Sequence, residues 1–234
     1  MNIFLITKII AFITMVIDHV GVLLNINLFR IIGRISFPLF CLLFGYGTRN
    51  TKSLGKRLIK LTVIALISQP IHMLYFENSA YNIFFGFALF NLIAFITNKL
   101  ELKTHEELFM VATASIMCQL YGVSYGWLLI VLCYIFYKFK NKYLIMTLYT
   151  ICIFIYMVYK TNYTKLFTIH SYMLVALVFI YLFYLVIEYK KKKGIELKRH
   201  VYKSKAMNII ASNIFYVLYP LHLLVLYLIK IGMK

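Results

Sequence analysis

Asp18 and His19 stand side by side in the stretch FITMVIDHVG, residues 12–21, at the end of an apolar run. An ionisable side chain inside hydrocarbon costs about 2.5–3.5 kcal/mol on insertion scales, so such groups face the protein interior and mark a pathway or a site of chemistry. An imidazole exchanges protons near neutral pH and suits a general base. On a helix Asp18 projects about 100° away from His19. The carboxylate is therefore better placed to pair with an arginine than to orient the imidazole. Arg30 and Arg34 follow in the next apolar segment. A buried ion pair fixing two helices is one reading of Asp18 and Arg34; an Arg34 that binds an acceptor or stabilises an oxyanion is the other. For Arg30, snorkelling to the interface stands beside a role at the site.

Lys8 precedes His19 by eleven residues, three helical turns plus about 20°, so the two share one stripe about 16 Å apart along the axis. Lys8 lies at one end of its helix and His19 toward the other. One helix face thus offers a cation for an anionic group and, further along, a proton acceptor; a membrane-end anchor is the plain alternative for Lys8.

These residues must be held by membrane helices. The 234 residues are 63% hydrophobic, with 25 Lys and Arg against 7 Asp and Glu. Their mean hydropathy is +0.85. No soluble domain of this length could hide so much apolar surface, so the bilayer is the solvent. The net charge of +18 sits in short gaps between apolar runs, which is juxtamembrane charge and excludes a nucleic-acid patch. Cys41, Cys118, Cys133 and Cys152 are scattered singly, without metal-like spacing, and read as small core residues. The first apolar run is longer than a signal-peptide core and reads as a retained helix.

A span needs about 20 apolar residues, fewer inside a bundle. Nine runs qualify, roughly 3–24, 29–48, 57–76, 81–98, 108–121, 125–138, 143–159, 167–188 and 206–229. Basic residues fall in alternate gaps: Arg49, Lys52, Lys56, Arg57 and Lys60; Lys99 and Lys103; Lys138, Lys140 and Lys142; and the run KKKKGIELKRHVYKSK. The remaining gaps and the C-terminus hold only Lys160, Lys165, Lys230 and Lys234. This asymmetry predicts a single all-α polytopic domain over 1–234 with about nine transmembrane helices, N-terminus in the cytoplasm and C-terminus outside. The lysine run reads as a solvated loop attracted to anionic lipid. In that topology His19 and Asp18 lie in the outer half of the membrane. Reflection about a turn near Ile26–Asn27 brings Arg34 to the depth of His19. Gln69, Asn82, Ser124, Tyr125 and His222 fall at a similar level, as the lining of one polar cavity open to the exterior or, equally, as interhelical hydrogen-bonding groups.

The stretches KIIAFITMVIDHVG and FRIIGRISFPLFCLLFGYGTRNT, with ISQP, YNIFFGFALF, YGVSYG and YPLHLLVL in order after them, resemble the TraX family of membrane proteins, named for a conjugation protein that acetylates the N-terminus of pilin. That family is distantly similar to acyltransferase family 3, whose members carry a basic residue, ten others and a histidine on the first helix. Lys8 and His19 match that spacing. The resemblance implies a membrane-embedded acetyltransferase of the bacterial inner membrane. It further implies cytoplasmic acetyl-CoA as cosubstrate, Lys8 on the CoA phosphates, His19 as base or transient acetyl carrier, and a pilin-like N-terminus, lipid or glycan as acceptor. Asp18 and Arg34 would complete the catalytic group, with Arg30, Gln69, Asn82, Ser124, Tyr125 and His222 around it. No metal is implied.

A small-molecule transporter or flippase also explains intramembrane charge, and a non-enzymatic component of a conjugation or secretion apparatus explains the family likeness. His72, His105, His170 and His200 lie at span edges or in loops and receive no role. GYGTR lacks the strand and helix of a phosphate cradle and reads as a flexible helix end. Pro38 is expected to kink its helix, with Gln69 or Ser124 satisfying the freed backbone groups.

Overall fold

The computed structural model describes residues 3–161, 169–195 and 205–233. Among them the chain is helical, with one isolated bridge between Tyr81 and Val123. The elements are α1 (Ile3–Leu23), α2 (Asn27–Gly33), α3 (Ser36–Arg49), α4 (Leu54–Phe76), α5 (Ile83–Leu100), α6 (Thr104–Leu120), α7 (Trp127–Lys138) and α8 (Lys142–Thr161). A 3-10 segment (Ile169–Val175) then leads into α9 (Ala176–Lys192), and α10 (Lys205–Gly232) closes the chain. Part of the lysine run, residues 196–204, lies outside the described residues.

Among the described residues seven helices are long and apolar enough to cross a membrane: α1, α2 with α3, α4, α5, α8, the 3-10 segment with α9, and α10 from Asn213. Each matches an expected span. The other two expected spans correspond to α6, of 17 residues, and α7, of 12. At 1.5 Å per residue α7 is about 18 Å long, well short of the roughly 30 Å hydrocarbon layer. Its residues Leu128 to Ile130 and Leu132 to Phe136 are all buried, as expected of a helix that is apolar all round.

The chain forms two compact units. The first comprises residues 1–43 and 141–219. Here α1 buries Thr7, Ala11, Thr14, Met15, Asp18 and Gly21, one stripe at three- and four-residue spacing. Thr7 and Thr14 return their hydroxyls to the carbonyls of Ile3 and Ile10, both at 2.8 Å, so neither brings an unmet donor into the core. Phe4 meets Phe183 of α9 edge-on at 5.4 Å. Tyr149 of α8, fully buried, donates to the Met173 carbonyl at 2.6 Å and pins the 3-10 segment.

The second unit comprises residues 44–140 and 220–234. Leu61, Ala65, Ser68, His72 and Tyr75 form the buried stripe of α4. Phe44 stacks on Phe87 at 3.8 Å. Lys138 and Glu107 pair and join α7 to α6. The glycines of GYGTR correct the reading of a flexible end: α3 is helical through Arg49. A Cβ on Gly45 would stand 2.4 Å from the Cys133 carbonyl oxygen, so this glycine serves the close approach of α7. Cys41, Cys118 and Cys133 are buried and Cys152 half-buried, all as free thiols.

Candidate functional site

The first unit brings Asp18, Arg30 and Arg34 together. Arg34 Nη2 donates to Asp18 Oδ1 at 2.8 Å and Arg30 Nε to the same oxygen at 3.2 Å. Two guanidiniums therefore share one carboxylate, and the cluster carries a formal excess of one positive charge. Arg34 is buried, whereas the Arg30 side chain keeps 33% of its exposure. Arg34 Nε also donates to the Arg30 carbonyl at 3.3 Å, which fixes the plane of its guanidinium.

Two glycines make this possible. A Cβ on Gly33 would fall 2.1 Å from Asp18 Cβ, and one on Gly21 would fall 2.8 Å from Phe29 Cβ. The backbones of α1 and α2 thus run in contact, antiparallel, in the small-residue mode of membrane helices. The turn between them passes through Asn25 at φ 54°, a left-handed conformation that asparagine tolerates.

Pro38 explains why α2 and α3 are separate. A proline cannot donate to the carbonyl four residues back and its ring clashes with that group, which here belongs to Arg34. The chain breaks there. Arg34 N and Ile35 N bond to Ile31 O and Ile32 O over three-residue reaches of 3.2 and 3.3 Å. Ser36, at the start of α3, donates to the Ala11 carbonyl at 2.8 Å and ties the break to α1. The expected kink is thus present four residues before the proline. Gln69 and Ser124 are not its partners, since both bond within the turns around Tyr81, as described below.

His19 is half-buried beside the stripe that carries Asp18. Lys8 is half-buried too, its ammonium 5.8 Å from the centre of the Phe215 ring of α10. Phe12, one turn further along α1, meets the same ring edge-on at 5.8 Å.

His170 joins this cluster, although its place in sequence suggested nothing. Arg34, Arg30 and Lys160 are its charged neighbours, and the Tyr156 ring stands edge-on to it at 5.4 Å. Its Nδ1 is buried and has no hydrogen-bond partner among the described residues. The 3-10 segment that carries His170 packs on α2, a tertiary approach without a periodic signature in the chain.

The second unit holds the other expected residues, in a different kind of arrangement. Asn82 is fully buried. Its Oδ1 caps α5 by accepting from Phe84 N at 3.0 Å, while Nδ2 donates to Ala65 O at 2.8 Å and to Gln69 Oε1 at 3.0 Å. Gln69 in turn accepts from Asn82 N at 2.9 Å and donates to Ala80 O at 3.0 Å. This is a saturated polar knot that sets the turn between α4 and α5. Ser124 Oγ donates to Tyr81 O at 3.1 Å. Tyr125 has φ 66° and belongs to the tight turn that enters α7. His222 is half-buried on α10. The interhelical hydrogen-bonding reading fits Gln69, Asn82 and Ser124.

A family model described as TraX protein matches residues 5–230. The chain belongs to the TraX family. The match runs from α1 to α10 and includes both the Asp18–Arg34 pair and the Gln69–Asn82 knot. Comparison with curated proteins and with solved structures returns no match for this TraX chain.

Proposed function

We propose that this TraX protein is an acetyltransferase of the bacterial cytoplasmic membrane, moving an acetyl group from cytoplasmic acetyl-CoA to an amine or hydroxyl on a pilin-like N-terminus, lipid or glycan. The observation that carries the reading is the Asp18 carboxylate shared by Arg30 and Arg34, next in sequence to His19. A net positive cluster inside a membrane helix pair is costly to maintain and matches what acyl transfer requires, a fixed charge for a developing oxyanion.

In this reading His19 removes the acceptor's proton as its nitrogen or oxygen attacks the thioester carbonyl. Arg34 and Arg30 stabilise the tetrahedral oxyanion. The intermediate then expels CoA thiolate, which takes the proton from His19 and leaves as free thiol. If His19 instead carries the acetyl group, its ring nitrogen attacks the thioester and CoA thiolate leaves; the acceptor then attacks the acetyl-imidazolium, and the departing imidazole takes the acceptor's proton. His170 is a second imidazole beside the arginines, able to pass a proton through an Nδ1 that has no partner among the described residues. Lys8 is the expected contact for the CoA phosphates. The N-in, C-out topology with nine crossings follows from the basic gaps, α6 and α7 crossing as short helices within the bundle.

The test is release of CoA thiol by protein in nanodiscs supplied with acetyl-CoA and a peptide amine or glycan acceptor. His19→Ala should lower the rate about 10²–10⁴-fold with the thermal unfolding temperature retained. Full activity in His19→Ala overturns the mechanism. If acetyl-CoA neither reacts nor shifts the unfolding temperature, a transporter takes its place.

A further inference from the structure

The second unit contains a cavity lined by none of the residues assigned to the proposed reaction. It measures about 280 Å³ and is lined by Thr48, Arg49, Thr51, Leu54, Asn98, Tyr137 and Lys138. The C-terminal ends of α3, α5 and α7 meet there with the start of α4.

Its lining is rich in donors and poor in acceptors. Arg49 Nη1 donates to the carbonyls of Phe139 at 2.6 Å and Tyr137 at 3.4 Å. Its guanidinium rests 4.9 Å from the Tyr46 ring centre. These contacts consume one nitrogen and lock the group in place, leaving Nε and Nη2 without an acceptor among the described residues. No carboxylate among the described residues pairs with Arg49. Asn98 Nδ2 donates to the Tyr137 hydroxyl at 2.9 Å and to Ala94 O at 2.6 Å, so the phenol accepts and its own proton has no acceptor among the described residues. The Thr51 hydroxyl is likewise unmatched. Lys138 is balanced by Glu107, so the uncompensated charge is that of Arg49. The last carbonyls of α7 would repel an anion, but Arg49 already occupies them. Lys52 and Lys140 follow the lining residues of α3 and α7 in the chain, and Lys56 and Lys99 lie on the first turn of α4 and the last turn of α5.

A fixed guanidinium and two hydroxyls with unmatched protons on one cavity call for a ligand bearing charge and several acceptor oxygens, which describes a phosphate group. The volume lies at the lower edge of small-molecule sites, roughly 300–1,000 Å³. It holds one phosphorylated end of a larger molecule. The positive-inside distribution puts this end of the unit at the cytoplasmic face. We infer that the cavity bounded by Arg49, Thr51 and Tyr137 binds a phosphate group presented from the cytoplasmic side, by a soluble nucleotide-type cosubstrate such as CoA or by an anionic phospholipid headgroup. Assignment to CoA rests on the acetyltransferase reading; the preference for phosphate does not.

The experiment uses the full chain in phosphatidylcholine nanodiscs. Binding of CoA is measured by isothermal calorimetry, retention of added phosphatidylglycerol by native mass spectrometry. Both are repeated with Arg49→Gln and with Asn98→Asp, which sets a negative charge at the exposed rim and spares the core. One of the two ligands should bind, more weakly as ionic strength rises, and each variant should weaken it at least tenfold. If Arg49→Gln fails to fold, Asn98→Asp decides. CoA binding that is unchanged in the variants overturns the cavity and leaves the donor reading standing. Phosphatidylglycerol binding that is lost in the variants, with none for CoA, upholds the cavity and removes the donor reading. Binding of neither ligand overturns the cavity.

Discussion

Arg34 Nη2 lies 2.8 Å from Asp18 Oδ1, across 16 residues of chain and between two helices whose backbones touch at Gly33. The pair is asymmetric, because among the described residues Asp18 is the only carboxylate of the cluster while Arg30 is a second cation on the same oxygen.

Asp18→Asn should therefore be the most damaging change in the cluster. Removing one partner of a buried ion pair costs about 3–5 kcal/mol, and here two guanidiniums lose their counter-charge together. Arg30→Gln should cost about 1 kcal/mol or less, since that side chain is 33% exposed. Thermal unfolding in detergent checks the order. Equal losses would mean that Arg30 is as essential to the pair as Asp18.

Gly33→Ala tests the helix contact without touching a charge. Its methyl group would overlap Asp18 Cβ at 2.1 Å, whereas that of Gly21→Ala approaches Phe29 Cβ at 2.8 Å. Overpacking costs about 1–3 kcal/mol, so Gly33→Ala should lie at or beyond the upper end and Gly21→Ala below it. Unfolding measurements on both variants read this directly. A neutral Gly33→Ala would show that α1 and α2 are not in backbone contact.

His170→Gln separates a chemical from a packing role. Its Nδ1 has no partner to lose among the described residues, so stability should change by less than about 1 kcal/mol. A proton-relaying imidazole contributes of order 10²-fold, and kcat should fall by about that factor with KM for the acceptor little changed. Unchanged kcat would confine His170 to packing against Tyr156.

What was legible in the chain follows from periodicity. The stripe from Thr7 to Gly21, the seven long helices and the Asp18–Arg34 partnership all express three- and four-residue spacing or the mirror of a hairpin about its turn. His170 was not legible, because a 3-10 segment distant in sequence carries it to α2. Gln69 and Asn82 are legible as cavity-lining or interhelical hydrogen-bonding groups, but their geometry depends on a turn conformation, which pairs them with each other, with Ala65 and with Ala80. Gly45 of GYGTR reads as part of a loose end because its neighbour, Cys133 of α7, is a purely tertiary contact. The shortness of α7 was visible as a short run, and its burial on every side was not.

Asn82→Ala separates the knot from the chemistry. The substitution removes the α5 cap and leaves Gln69 Oε1 with only the Asn82 backbone N–H and Ala65 O without the side-chain donor. A lost cap costs about 1 kcal/mol, and each buried group left unmatched adds about 1–3 kcal/mol. A total of about 3 kcal/mol should appear in thermal unfolding. Activity per folded molecule should stay near that of the unaltered protein, because the knot already satisfies itself and has no proton to offer a substrate. If kcat instead falls tenfold or more at a temperature where the variant remains folded, the Gln69–Asn82 turn takes part in positioning the acceptor.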